Sequence, residues 1–165
     1  MKVRVLGCSG GIGARARTTS FLVDDDVLLD AGTGVEDLSV DELAAIDHVF
    51  LTHSHLDHIA ALPLLVDSVG SLRDKPIVVH ALPETIAALK AHVFNWVIWP
   101  DFTEIPHYER PWMLFEPLSI GSVVEVGGRW VRSLAASHTV PALAFHAYTE
   151  EAGVVFSGDT GPNDE

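Results

Sequence analysis

The chain opens with Met1-Lys-Val-Arg-Val-Leu6, where apolar and charged positions alternate with the two-residue period of a strand. Apolar runs at 21–23 and 27–30 flank the acidic turn Asp24-Asp-Asp26 and predict a hairpin. Between the first strand and that hairpin lies Gly7-Cys-Ser-Gly-Gly-Ile-Gly13, whose glycines permit tight turns. A dinucleotide-binding fingerprint would need a helix directly after it, and an apolar strand-like run follows instead. Ser39 with Asp41 and Glu42 behind it predicts a capped helix over 40–46. The pattern continues as a strand over 47–52, a helix over 59–69 with Pro63 in its early turns, and a buried-type strand over 76–80. A helix over 83–93 follows, with Ile86, Leu89 and Val93 on one face, so the alternation is βαβα.

From Asn95 to Trp112 the period is lost among aromatics and three prolines, which predicts an irregular loop. Trp99 and Phe102 in that loop are either core packing or a wall on which a substrate stacks. Beyond it the helical signals stop, and short β-type runs occupy 115–118, 122–126, 129–136, 142–148 and 154–157. Gly127-Gly128 and residues 150–153 read as hairpin turns. Without a repeat, linker or low-complexity segment, residues 1–165 read as a single α/β domain.

Composition narrows the class. At 165 residues with 48% hydrophobic content there is material for a sizeable core. No apolar run approaches the roughly 20 residues of a membrane span, and the N-terminus lacks a signal-peptide core, so a cytoplasmic protein without membrane contact is expected. The single Cys8 excludes an intrachain disulfide and reads as a small packed residue. A formal charge of −13, from ten basic against 23 acidic residues, disfavours a nucleic-acid or other polyanionic partner.

Candidate chemistry concentrates in Leu51-Thr-His53-Ser-His55-Leu-Asp57-His58, three imidazoles and a carboxylate within six residues at the end of an apolar run. Imidazole nitrogen and carboxylate oxygen suit zinc, iron or manganese. His53 and His55, two apart at a strand end, can leave on the same side and share one ion, while Asp57 and His58 fall where a second could sit. Two later strand ends also carry ligand types, Ser137-His138-Thr139 and Ser157-Gly-Asp159-Thr160.

The run from His53 to His58 resembles the HxHxDH signature of the metallo-β-lactamase superfamily. Extended through Ser68, it is similar to the class II 3′,5′-cyclic-nucleotide phosphodiesterases, departing at Ala61 and Pro63. The Trp-Pro-Asp-Phe tract ending at Phe102 is also similar to that family. His138 and Asp159 match the superfamily's third and fourth motifs, and Asp30-Ala-Gly-Thr-Gly34 its first, where the aspartate supports the metal loop without ligating.

The resemblance implies an αββα four-layer sandwich. Two divalent ions, zinc by default with manganese or iron as alternatives, would be held by His53, His55 and His138 on one side and by Asp57 and His58 on the other, with Asp159 between them. It implies a small phosphodiester substrate, a 3′,5′-cyclic nucleotide opened to a 5′-nucleotide by hydroxide that Asp57 orients. Arg15 and Arg17 are candidate phosphate contacts, and Trp99 and Phe102 candidate base contacts. Two alternatives stand beside this reading: a tRNA 3′-end endonuclease-like activity, and a metal-binding or assembly module without turnover. The superfamily also supplies a further histidine downstream of the Ser-Gly-Asp turn. Here His107 and His146 are the unassigned histidines, so the sequence reads as the front part of a longer fold whose open sheet edge would favour association between copies.

Overall fold

A computed structural model describes residues 1–162. The first hairpin forms as expected: β1 (Val3–Gly7), β2 (Ser20–Val23) and β3 (Val27–Leu29) pair antiparallel. From β3 onward the pairing turns parallel through β4 (His48–Phe50), β5 (Ile77–Ala81) and β6 (Met113–Pro117), completing a six-stranded sheet in sequence order. Parallel pairing requires crossovers, and helices supply them. These are α1 (Val40–Ala45), the pair α2 (Leu56–Ile59) and α3 (Leu62–Val69), and α4 (Pro83–His92).

Local chemistry explains the helix ends. The Ser39 hydroxyl accepts from the Glu42 amide while the Glu42 carboxylate accepts from the Ser39 amide, a reciprocal cap at the start of α1. The single helix expected over 59–69 is instead two. Helical structure begins earlier, at Leu56, and restarts at Leu62 because Pro63 cannot donate an amide hydrogen bond and fits only a first turn.

The second sheet is antiparallel, in the order β10-β9-β8-β7, and consists of β7 (Val123–Val126), β8 (Arg129–Ala136), β9 (Ala142–Tyr148) and β10 (Gly153–Phe156). Alternation within the strands sorts the first sheet's side chains between two cores. Leu28, Val49, Leu51 and Val79 face the helices with Leu62, Leu65, Val66 and Leu89. Val27, Leu29 and Phe50 face the second sheet with Val131, Leu143, Phe145 and Phe156. Helices, first sheet and second sheet give three of the four expected layers. Among the described residues no helix covers the outer face of the second sheet.

One ion-pair cluster ties the sheets together away from the strand ends considered below. Arg129, at the start of β8, reaches both carboxylate oxygens of Asp26 at 2.6 Å and Asp24 at 2.7 Å across the β2–β3 turn. No helix among the described residues is long and apolar enough to cross a membrane.

Candidate metal centre

The parallel strands deliver their C-terminal ends to one rim of the sandwich, and the candidate residues collect there. Directly after β3 comes Asp30, held at φ +57°, a left-handed conformation that a short polar residue tolerates. Its amide donates to the Phe50 carbonyl at 2.9 Å, so the turn 30–32 is fixed against the end of β4. An ideal Cβ at Gly32 would lie 2.4 Å from the Asp57 carbonyl oxygen, so only glycine lets the turn approach α2 this closely. From the second sheet, the loop between β8 and β9 brings His138. The turn after β10 brings Asp159 behind Gly158, at φ +56°. These two loops are stitched together: the Gly161 amide donates to the Ser137 carbonyl and the Ser137 amide to the Thr160 hydroxyl.

Two clusters result. His53, His55 and His138 each offer a ring nitrogen, and so do His53 and His58 with a carboxylate oxygen of Asp159; within each group the atoms lie within 4.8 Å of one another. His55 Nδ1 and His138 Nε2 are 3.1 Å apart although 83 positions separate the residues. His58 Nε2 lies 3.5 Å from both Asp57 Oδ2 and Asp159 Oδ1. The Nε2 atoms of buried His53 and His58 have no hydrogen-bond partner. Orphaned buried nitrogens at the centre of a ring of imidazoles and carboxylates are the donor set a divalent ion satisfies, so these residues fit one. All six expected ligands, His53, His55, Asp57, His58, His138 and Asp159, are brought together.

Electrostatics agree with ligation. Burial, reinforced by the neighbouring imidazoles of His58, His55 and His138, pushes His53 down to about 3, so it is neutral and its lone pair is available. Asp30 is fully buried, and burial pushes its carboxyl up against the hydrogen bonds it accepts from His58 and Thr52. At His58 burial opposes protonation, but the hydrogen bond to Asp30 and the charges of Asp30, Asp57 and Asp159 outweigh it and raise the imidazole. Asp30 Oδ2 sits 2.6 Å from His58 Nδ1, the supporting contact expected of it.

Other expectations need correcting. Phe102 is 1% exposed and packs on Phe94 and Trp112; its carbonyl accepts from Met113 at the N-terminal end of β6, the rim opposite the histidines. Trp99 is half-buried against the same core, its amide bonded to the Val93 carbonyl. The 93–112 loop is therefore a plug for the far end of the sheet, because large aromatics gain more from burial there than from exposure. Neither residue contacts the metal rim. His107 lies in that loop and His146 stacks on Tyr148 in mid-strand, so neither supplements the ligands. Arg17 is engaged by Asp37 at 3.2 Å. Arg15 is exposed on the 8–19 loop, which leans on the turn 30–33 through reciprocal Thr18–Thr33 hydrogen bonds. Cys8, expected to be packed, is exposed. Sequence reading missed Thr52, whose placement directly before His53 is the only signal it carries.

Comparison with known proteins follows the same lines. The model of the family described as class-II cAMP phosphodiesterases matches residues 39–145. A probable 3′,5′-cyclic-nucleotide phosphodiesterase of Yersinia pestis is 29% identical over 131 residues, covering 62% of this chain and 36% of the relative. A ribonuclease Z of Haloferax volcanii is 30% identical over 118 residues, covering 67% of this chain and 37% of the relative. The chain thus spans little more than a third of the length of these curated relatives. Among solved structures, the metallo-β-lactamase fold protein YhfI from Bacillus subtilis superposes with a TM-score of 0.74 at 21% identity, over 98% of this chain and 64% of that one, which shows the fold.

Proposed function

The chain belongs to the family of class-II cAMP phosphodiesterases, and from that premise we propose that it carries the metal site of a hydrolase that opens 3′,5′-cyclic nucleotides to 5′-nucleotides. The observation that carries this reading is the convergence of His53, His55, His138, His58 and Asp159 with two buried ring nitrogens left free. His53, His55 and His138 would hold one divalent ion and Asp57, His58 and Asp159 a second, zinc suiting the histidine-rich group and manganese or iron fitting the same donors. When bound, such ions lower the pKa of water and neutralise charge gathering on phosphoryl oxygens.

The chain's own groups do the rest. Neutral His53 keeps a lone pair directed into the site, and Asp30 holds His58 in one orientation. Asp57, whose side chain is part exposed and 3.5 Å from His58 Nε2, orients the attacking water by accepting its hydrogen bond and then its proton. Arg15, exposed on the 8–19 loop, is the residue assigned here to the substrate phosphate.

The charge pattern favours a small substrate. Among the described residues Arg4, Arg17, Arg73, Lys75 and Arg129, half of the chain's ten basic residues, are paired with carboxylates and so are less available to neutralise a polynucleotide. The ribonuclease Z likeness supports the alternative of a tRNA 3′-end endonuclease. Hydrolysis of cyclic AMP and of bis(4-nitrophenyl) phosphate, abolished by chelator and by His55→Ala, is the expected result. Cleavage of precursor tRNA alone would favour the nuclease, and no metal-dependent turnover of any of the three would favour a non-catalytic module.

A further inference from the structure

Thr52 has no exposed surface, and four segments of the site meet on it. Its amide donates to Asp30 Oδ1 at 2.7 Å, and its carbonyl accepts from Leu143, just after the His138 loop, at 2.9 Å. Its side chain lies where a Cβ on Gly158 would approach to 2.7–3.0 Å, so the turn carrying Asp159 rests directly upon it. Its hydroxyl oxygen is 2.8 Å from Asp30 Oδ2 and 2.9 Å from His53 Nδ1.

A hydroxyl has one proton to give. Asp30 is a buried carboxylate and the stronger acceptor, so the Thr52 proton goes to Asp30. His53 Nδ1 must then be the donor in its own contact with Thr52, which leaves the ring's lone pair on Nε2, the buried atom without a partner. At His58 the same acid is reached directly, Nδ1 donating to Asp30 Oδ2. The hydroxyl stands 3.4 Å from His58 Nδ1, too far to compete with the 2.6 Å contact.

We propose that Thr52 is a positioning residue that relays the Asp30 carboxylate to His53, so that one buried acid sets the tautomer of a histidine in each cluster. The relay runs from His53 Nδ1–H to the Thr52 oxygen and from the Thr52 O–H to Asp30. No proton leaves its atom; the chain fixes where each one stays. The inference rests on the metal-hydrolase reading for its purpose only, since the tautomers exist without metal or substrate.

The test uses the full chain with ¹⁵N-labelled histidine. In the metal-free wild type, long-range ¹⁵N–¹H correlations should show His53 protonated on Nδ1; protonation on Nε2 would overturn the relay whatever the variants do. Thr52→Val keeps the shape without the hydroxyl, and Thr52→Ser keeps the hydroxyl without the methyl. With Thr52→Val the Nδ1–H preference of His53 should be lost while that of His58 persists, and Zn²⁺ affinity at the three-histidine site should fall roughly 10- to 100-fold. Thr52→Ser should restore both. A valine variant with wild-type tautomer and Zn²⁺ affinity, or a serine variant as weak as valine, would refute the role. Neither readout involves turnover, so failure here is distinct from failure of the phosphodiesterase reading.

Discussion

Replacing His80 by phenylalanine should remove a defined part of the protein's acid sensitivity. His80 lies in β5 at 4% exposure, its ring stacked on Phe50 with centroids 4.3 Å apart and planes 12° from parallel. Its Nε2 is 3.0 Å from His48 Nδ1, and its Nδ1 is buried without a partner. Burial first, and the His48 ring second, push its pKa down to about 4 from the ordinary 6.5. Because the folded value is the lower one, the stability it confers is complete above pH 6.5, where both states are neutral. It drains away as pH falls toward 4, since only the unfolded chain takes up the proton. The shift of about 2.5 units, at about 1.4 kcal/mol each, corresponds to a loss of about 3 kcal/mol across that window. Phenylalanine keeps the ring on Phe50 and cannot titrate, while half-buried His48 can turn to water. Urea unfolding followed by circular dichroism between pH 7.5 and 4, with chelator present, measures the slope. The variant's unfolding free energy should fall by about 3 kcal/mol less than that of the wild type, whatever constant offset the larger ring introduces. His53 and the lowered carboxylates titrate in both proteins and cancel. Parallel curves would show that His80 protonates in place and that its burial carries no such penalty.

Two further outcomes follow from packing. Phe102→Ala should cost about 3–5 kcal/mol by opening a cavity beneath β6, yet leave KM for a cyclic nucleotide unchanged in the folded fraction; a raised KM with unaltered stability would return the 93–112 loop to the substrate. Arg129→Met should cost about 2 kcal/mol, less than a fully buried pair because Asp24 and Asp26 reach solvent, and the loss should shrink in acid as Asp24 is neutralised, its carboxyl being held below the usual range, against its burial, by the Lys2 amide and Arg129, as read from thermal melts at several pH values.

Much of the chemistry was legible because ligand types are chemically distinctive and clustered. His53 to His58 announce themselves within six positions, and His138 and Asp159 follow as polar punctuation at strand ends. Strands β8 and β9 were delimited as short β-type runs bounded by turn residues, Gly127-Gly128 before the first and residues 150–153 after the second. The Trp- and Pro-rich loop was misplaced for a physical reason: aromatic residues serve equally to stack on ligands and to fill a core, and only the parallel register of β5 and β6 decides which rim they occupy. Thr52 was illegible for a different reason. A threonine before a histidine is ordinary in sequence, and its importance arises from Asp30, 22 positions away, closing onto it.

The 3.1 Å approach of His55 to His138 also bears on how the folded state is held. One ring belongs to the helix-backed sheet and the other to the antiparallel sheet, so a ligand gripping both acts as a clasp across the seam of the sandwich. Such a clasp exists only when the sheets are docked, and mass action then adds its binding free energy to folding, about 2.7 kcal/mol at a hundredfold excess over Kd. Ion supply would thereby tune how firmly the two sheets stay docked.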